Sequence, residues 1–257
     1  MNFLELLSRP ELIAAHRGAN SLAPENTLSA LKKSIGRADF IEIDTQLSKE
    51  GIAIIMHDDT LLRTTNVSQL SEFDSKKPYK VSDFIYDELK RLDYGSWFYR
   101  DKAQAEPLLT LHDALIFIKK NNLFLNLEIK DISSAFGDKE VVDTVVKEIN
   151  DTLCSDRVLV SSFRHEYLKL IKTKLHIPTA ALVEDAHPKE LISYLRELGV
   201  DGYCLNDELV HRGSVEMLRE EGFFVGVYTV NSAIRSHELF EMGVNFVFSD
   251  SLYKDKI

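Results

Sequence analysis

Apolar runs of strand character alternate, from residue 111 onward, with stretches whose apolar positions recur at helical spacing. Leu111, Ala114, Leu115 and Ile118 form one such stretch, and Val142, Val145, Val146 and Ile149 another. Gly199, Gly222 and Gly243 each close a helical stretch and lead within a few residues into an apolar strand, at 202–205, 224–228 and 246–249. Glycine suits the left-handed position that ends a helix. Spacings of 23 and 21 residues between these glycines mark successive helix-then-strand units, the pattern of a parallel sheet. Segments 13–15, 40–47, 123–129, 158–162 and 179–183 bring the strand count to eight. The run 52–56 makes a ninth, but only residues 48–51 separate it from its predecessor, which suits a hairpin rather than a parallel crossover. We read it as an extra strand returning antiparallel. The remainder predicts a single α/β domain over 1–257, an eight-stranded (β/α)8 TIM barrel, and 257 residues is an ordinary length for that fold.

Residues 58–107 break the rhythm. They hold neither a long helix nor a clean strand, and a loop of that length inside a domain is usually functional or disordered. Composition changes the picture little: 44% hydrophobic and 28% charged residues describe a globular protein with a sizeable core. A net charge of −10 argues against non-specific nucleic-acid binding and says nothing against a small anion held by local charges. Cys154 and Cys204 lack a metal-type spacing and read as reduced, mostly buried thiols. Residues 1–10 lack the pattern of a signal peptide, and no apolar run approaches the roughly 18 residues that span a bilayer, so we expect a cytoplasmic protein without stable membrane insertion.

Chemistry enters with the alternation inside two strands. Ile41, Ile43 and Leu47 form one face and Glu42, Asp44 and Gln46 the other; Leu125, Leu127 and Ile129 likewise alternate with Asn126, Glu128 and Lys130. With the polar faces inward, Glu42, Asp44 and Glu128 meet at low dielectric, where mutual repulsion makes ionisation costly. A hard divalent cation, Mg²⁺ or Ca²⁺, suits such a carboxylate set. His16 and His57 follow strands and flank the same mouth, where an imidazole can take or give a proton near neutrality. Arg17 offers a planar donor for two phosphate oxygens or for a carboxylate. Lys130 either joins in holding an anion or forms a structural ion pair. Asn26 and Thr27 precede the helical run 28–35 and both read as helix caps. The other histidines, His112, His165, His176, His187, His211 and His237, read as structural.

Taken in order, Ala15-His16-Arg17-Gly18, Pro24-Glu25-Asn26-Thr27, Glu42-Ile43-Asp44, His57-Asp58, Leu127-Glu128-Ile129-Lys130, Ser161-Ser162-Phe163 and Val227-Tyr228-Thr229-Val230-Asn231 resemble the glycerophosphodiester phosphodiesterase family of the cytoplasmic bacterial type, related to the phosphatidylinositol phospholipase C-like barrels. The resemblance implies a TIM barrel whose metal ligands are Glu42, Asp44 and Glu128 and whose catalytic acid and base are His16 and His57, without saying which is which. It places Glu25 near the metal site, where it could serve as an outer partner of a ligand or histidine, while Arg17 is expected at the phosphate and Lys130 either there or in an ion pair with the carboxylates. Tyr228 stands where tryptophan is frequent and walls the glycerol carbons. Phe163 lines the pocket or packs beneath it. The 58–107 insertion, with its Gly-Ser-Trp-Phe element, resembles a cap over the mouth. The expected substrate is a glycerophosphodiester such as glycerophosphocholine or glycerophosphoethanolamine, and the products are sn-glycerol 3-phosphate and an alcohol. Attack by water and attack by the glycerol 2-hydroxyl both stay open. A lysophospholipase D- or phospholipase C-type enzyme on the same barrel calls for an apolar rim that is not evident. A non-catalytic sensing barrel calls for loss of a histidine or carboxylate, and all are present. We expect a monomer or homodimer.

Overall fold

A computed structural model describes residues 1–99 and 104–252; residues 100–103 of the expected 58–107 insertion lie outside the described residues. Its strands in chain order are β1 (Leu12–Ala15), β2 (Phe40–Leu47), β3 (Ala53–Ile55), β4 (Leu125–Ile129), β5 (Val158–Ser162), β6 (Thr179–Val183), β7 (Gly202–Asn206), β8 (Phe224–Tyr228) and β9 (Phe246–Ser249). Eight of them run parallel in the order β1-β2-β4-β5-β6-β7-β8-β9, and β1 pairs with both β2 and β9, so the barrel closes. β3 pairs antiparallel with β2, Thr45 opposite Ile55, as the short 48–51 connection requires. The expected strand at 123–129 begins two residues later, at Leu125.

Alternation sorts the side chains into two compartments. Outward residues such as Ile41, Ile43, Leu125, Leu127, Val158, Val160, Val225 and Val227 join the apolar faces of the surrounding helices in one core. Inward residues from the lower strands, among them Leu12, Ala14, Phe40, Leu159, Cys204, Phe224, Phe246 and Phe248, fill the barrel itself. Helix α1 (Phe3–Leu7) stoppers the amino-terminal end: Phe3 meets Phe40 and Phe124 edge to face at 5.3 and 5.6 Å, and Asn2 caps the helix in a reciprocal pair with Glu5. Both cysteines are buried and free.

The insertion folds around its own small core, with Met56, Leu61, Val67, Phe73, Phe84, Leu89 and Tyr94 packed together under short helical turns. No helix among the described residues is long and apolar enough to cross a membrane.

Two interior glycines make room for the aromatic layers. A Cβ at Gly226 would lie 2.3 Å from the Phe246 ring and 2.8 Å from Cys204 Sγ, and the Phe246 ring, fully buried against Phe40, Phe224 and Phe248, has nowhere to go. Gly226→Ala is therefore expected to cost about 1–3 kcal/mol in urea unfolding through overpacking. Gly213, in the helix Arg212–Glu220 with nothing within 4 Å of its added Cβ, serves as control: Gly213→Ala should be neutral or gain up to about 1 kcal/mol. Equal effects at the two sites would contradict this account of the barrel interior.

Candidate active site

Above the aromatic layers the inward face turns polar. Register places Glu42 beside Asn126 and Asp44 beside Glu128, so the alternation that buries Ile43 and Leu127 outside also stacks carboxylates inside. One oxygen from each of Glu42, Asp44 and Glu128 lies within 4.8 Å of the others. Burial, then the charges of Asp44 and Glu128, push Glu42 well above the ordinary carboxylate range. Burial and Asp44 likewise raise Glu128 against the pull of Lys130. Burial also opposes ionisation of Asp44, but Lys130, His57, Arg17 and the Asn26 amide together outweigh it and hold this carboxyl below its usual value. Lys130 Nζ donates to Glu128 at 2.6 Å and lies 3.5 Å from Asp44.

One lysine does not satisfy the cluster. Glu42 Oε2 accepts from the Arg17 backbone N–H at 2.7 Å, while Glu42 Oε1 is buried with no hydrogen-bond partner. An unpartnered carboxylate oxygen among three such groups fits a hard cation bound through oxygen.

Arg17 follows β1 with a left-handed backbone (φ 54°), which turns its N–H toward Glu42. Gly18 continues the turn at φ 76°, and its missing Cβ admits Ala30 of helix α2 (Leu28–Ser34), whose Cβ would otherwise be 2.8 Å away. The Arg17 guanidinium donates to Glu25 at 3.0 Å, and its buried Nε, 3.7 Å from Asp44, has no hydrogen-bond partner. Glu25 also receives two bonds of 2.7 Å from Arg63, a residue of the insertion. Arg63 in turn grips Asp58 at 2.6 and 2.8 Å, and Asp58 bonds His57 Nδ1 at 2.7 Å. Glu25 thus joins Arg17 to the His57 loop, touching neither the carboxylate cluster nor a histidine directly. Gln46, on the inward face of β2, clamps the same loop by donating to the carbonyls of Met56, His57 and Asp58 at 3.0, 3.1 and 2.8 Å.

His16 is anchored in the same manner. Its Nδ1 lies 2.7 Å from Asp250, which also accepts from the amides of Asn20 and Asn231. Both histidines therefore have Nδ1 engaged by a carboxylate, which leaves Nε2 as the nitrogen free to meet a ligand. Burial lowers the His57 pKa despite the neighbouring Asp44, favouring the neutral ring.

One sequence reading needs correction. Thr27 does cap α2, accepting from the Ala30 N–H, but Asn26 does not. Asn26 sits in the left-handed region (φ 59°) and turns its amide inward, donating to Asp44 at 2.8 Å and accepting the Asp44 N–H at 3.3 Å. With its nitrogen on the Asp44 carboxylate and its oxygen on the Asp44 N–H, this amide is turned away from the helix end.

His16, Arg17, Glu42, His57, Glu128 and Lys130 all line one cavity of about 350 Å³ at the carboxyl ends of the strands. The opposite wall is Phe163, Leu182, Tyr228 and Phe248, with Glu184 and Asn206 beside them. Phe163 and Tyr228 meet edge to face at 6.0 Å, and the Tyr228 hydroxyl donates to the Val183 carbonyl. No described residue of the 58–107 insertion lines this cavity; the insertion reaches the site through Asp58 and Arg63. Asp250, Asn20 and Arg63 were not singled out from sequence, and Gln46 and Asn231 were named there without a role. The histidines were the available signal, since a ring that must present one nitrogen needs a partner at the other.

The family model of the glycerophosphoryl diester phosphodiesterases matches residues 16–254. A glycerophosphodiester phosphodiesterase of Bacillus altitudinis is 33% identical over 244 residues, covering 93% of this chain and 94% of its own. One from Bacillus subtilis (strain 168) is 31% identical, covering 93% of this chain and 83% of its own. A solved phosphodiesterase of Oleispira antarctica, in complex with the product sn-glycerol-3-phosphate, superposes with a TM-score of 0.84 at 29% identity over 96% of both chains. With seven of the eight barrel strands, the carboxylate cluster and the two anchored histidines lying inside the matched span, the chain belongs to the glycerophosphoryl diester phosphodiesterase family.

Proposed function

We propose that this glycerophosphodiester phosphodiesterase hydrolyses substrates such as glycerophosphocholine and glycerophosphoethanolamine to sn-glycerol 3-phosphate and the free alcohol, with a divalent cation, Mg²⁺ or Ca²⁺, held by Glu42, Asp44 and Glu128. The observation that carries this reading is the carboxylate cluster, two members of which, Glu42 and Glu128, line one cavity with two histidines whose Nδ1 atoms are already fixed. Bound there, a divalent cation supplies Lewis-acid polarisation of a phosphoryl oxygen and offsets developing negative charge.

The chain's own residues do the rest. Arg17 and Lys130, charged and lining the cavity, bind the phosphate oxygens. One histidine takes the proton from the attacking oxygen as its bond to phosphorus forms, and the other gives a proton to the alcohol oxygen as that bond breaks. Asp58 and Asp250 hold the two rings in the tautomer that presents Nε2, and stabilise each ring when it carries the extra proton. Arg63 and Gln46 keep the His57 loop in register with Arg17. Tyr228 and Phe248 close the apolar side against the glycerol carbons and keep water from it.

Glu42→Gln is expected to abolish turnover while leaving the thermal midpoint of the metal-free protein unchanged or higher, because the amide keeps the Arg17 N–H contact and removes a buried charge. Exhaustive chelation should likewise stop glycerol 3-phosphate release, and Mg²⁺ or Ca²⁺ should restore it; full activity after chelation contradicts the metal assignment. His16→Ala and His57→Ala should each lower kcat by at least about a hundredfold with little change in KM. Their double variant should lose far less than the product of the two, as for groups that act as a unit. A histidine whose removal leaves kcat intact returns to a structural role.

The bond broken tests the reading as a whole. Glycerophosphocholine should yield glycerol 3-phosphate and choline, measured by coupled oxidation of the phosphate product. Phosphocholine as the main product would place the leaving group at the other end of the cavity and overturn the proposal.

A further inference from the structure

The cavity has two unlike ends. Going round the closed barrel, β6 lies four strands from β1 in either direction, so Glu184, just past the end of β6, stands across the mouth from His16 and Arg17. The ends also differ in depth. Glu42 and Asp44 are 2% and 1% exposed, whereas Glu184 is exposed and Phe163 is 38% exposed at the rim. With the glycerol phosphate end at the buried cluster, the leaving alcohol points outward, toward Glu184 and Phe163.

Glu184 is an odd residue for such a place. It lines a cavity that has to admit a phosphodiester anion, and no lysine or arginine among the described residues pairs with it. The Asn206 amide donates to Glu184 Oε1 at 3.0 Å and the Tyr228 hydroxyl lies beside it, which fixes the carboxylate without neutralising it. A fixed, unneutralised carboxylate on the route of an anion slows and weakens binding unless the ligand carries a positive charge to meet it. The neighbouring wall offers the other element of cation recognition. Phe163 and Tyr228 stand edge to face, and an aromatic ring attracts a cation placed over its face.

We propose that Glu184, held by Asn206 and flanked by Phe163, forms a subsite for a cationic leaving alcohol, an ammonium-bearing head group whose charge lies a few bonds from the ester oxygen. The substrate class is then the zwitterionic diester: its phosphate anion meets Arg17 and Lys130, and its ammonium meets Glu184 at the opposite rim. This deepens the phosphodiesterase reading and rests on it, since it takes the glycerol phosphate end to lie at the carboxylate cluster. Neutral diesters still fit, but lose the second charge contact. An exposed ion pair with a modest cation–π contribution corresponds to a selectivity of about three- to tenfold, rather than to a strict gate.

The test compares kcat/KM for glycerophosphocholine and glycerophosphoethanolamine, whose alcohols are cationic, with that for glycerophosphoglycerol, whose alcohol is neutral, in the metal-loaded enzyme before and after Glu184→Gln. Glycerol 3-phosphate release is the common readout. The variant keeps the size of the side chain and an acceptor for Asn206, and should lower the ratio of cationic to neutral kcat/KM about three- to tenfold, mostly through KM. The ratio in the unaltered enzyme should shrink as salt rises from 20 to 500 mM, roughly the range over which an exposed pair is screened. Phe163→Leu should lower the ratio for choline as well, by removing the ring while keeping an apolar side chain. An unchanged ratio after Glu184→Gln overturns the subsite, whether or not the rates themselves fall, because an equal loss on all three diesters places Glu184 at their shared glycerol phosphate end. Failure of all three to release glycerol 3-phosphate in the unaltered enzyme overturns the underlying activity instead, and is told apart by that.

Discussion

Three carboxylates packed at the mouth of an apolar barrel repel one another in a medium that cannot screen them, and much of the upper structure answers that repulsion. Lys130 offsets part of the charge from the next inward position of the same strand, Arg17 lends its backbone N–H, and Asn26 gives Asp44 both a donor and an acceptor. Each of these is a polar group brought inward at some cost in desolvation, and the arrangement still leaves Glu42 Oε1 without a partner. That unmet oxygen is what the proposed cation would answer. The rigidity of the lower barrel makes this tenable: the Phe40, Phe224, Phe246 and Phe248 layers, closed below by α1, fix the strand register that brings Glu42, Asp44 and Glu128 together.

The same layering separates stability from chemistry along the barrel axis. Aromatic rings fill the amino-terminal half, where Gly202 and Gly226 yield their side-chain space to Phe224 and Phe246. Charged and amide groups fill the carboxyl-terminal half, where every strand end supplies one wall of a common cavity. The insertion after β3 contributes to this half through one ion-pair chain, Arg17 to Glu25 to Arg63 to Asp58 to His57, which ties the loop after β1 to the loop after β3. Its own hydrophobic core anchors Arg63 from outside the barrel.

Much of this was legible in the chain because strands encode their two faces with period two. The alternation of Ile41, Ile43 and Leu47 with Glu42, Asp44 and Gln46 was enough to orient β2, and the 48–51 connection was short enough to make β3 a hairpin partner. The ordered motifs then pointed to the residues that line the cavity. Partners supplied by distant segments were not legible. Asp250 is 234 positions from His16, and no local pattern marks it as the residue that fixes the ring. Asn26 misleads for a local reason: by residue type and place it reads as a helix cap, and only the left-handed turn at this position shows that its amide faces Asp44. Helix α1 escaped because its five residues are too few to show a period, and its function, plugging the barrel with Phe3, is visible only once the barrel exists.

The proposed cation and the protons of the buried carboxylates would compete for the same oxygens. Burial and the neighbouring charges of Asp44 and Glu128 raise the Glu42 pKa, and a bound cation would pull it back down, so cation binding is expected to be coupled to proton release. Calorimetric titration of the metal-free enzyme with Mg²⁺ near pH 6, repeated in buffers of different ionisation enthalpy, reads this directly. The account predicts an observed enthalpy that changes linearly with buffer ionisation enthalpy, with a slope that reports net proton release and falls toward zero in the Glu42→Gln variant or as the pH is raised. Saturable binding with no buffer dependence, or no binding at all, would contradict it.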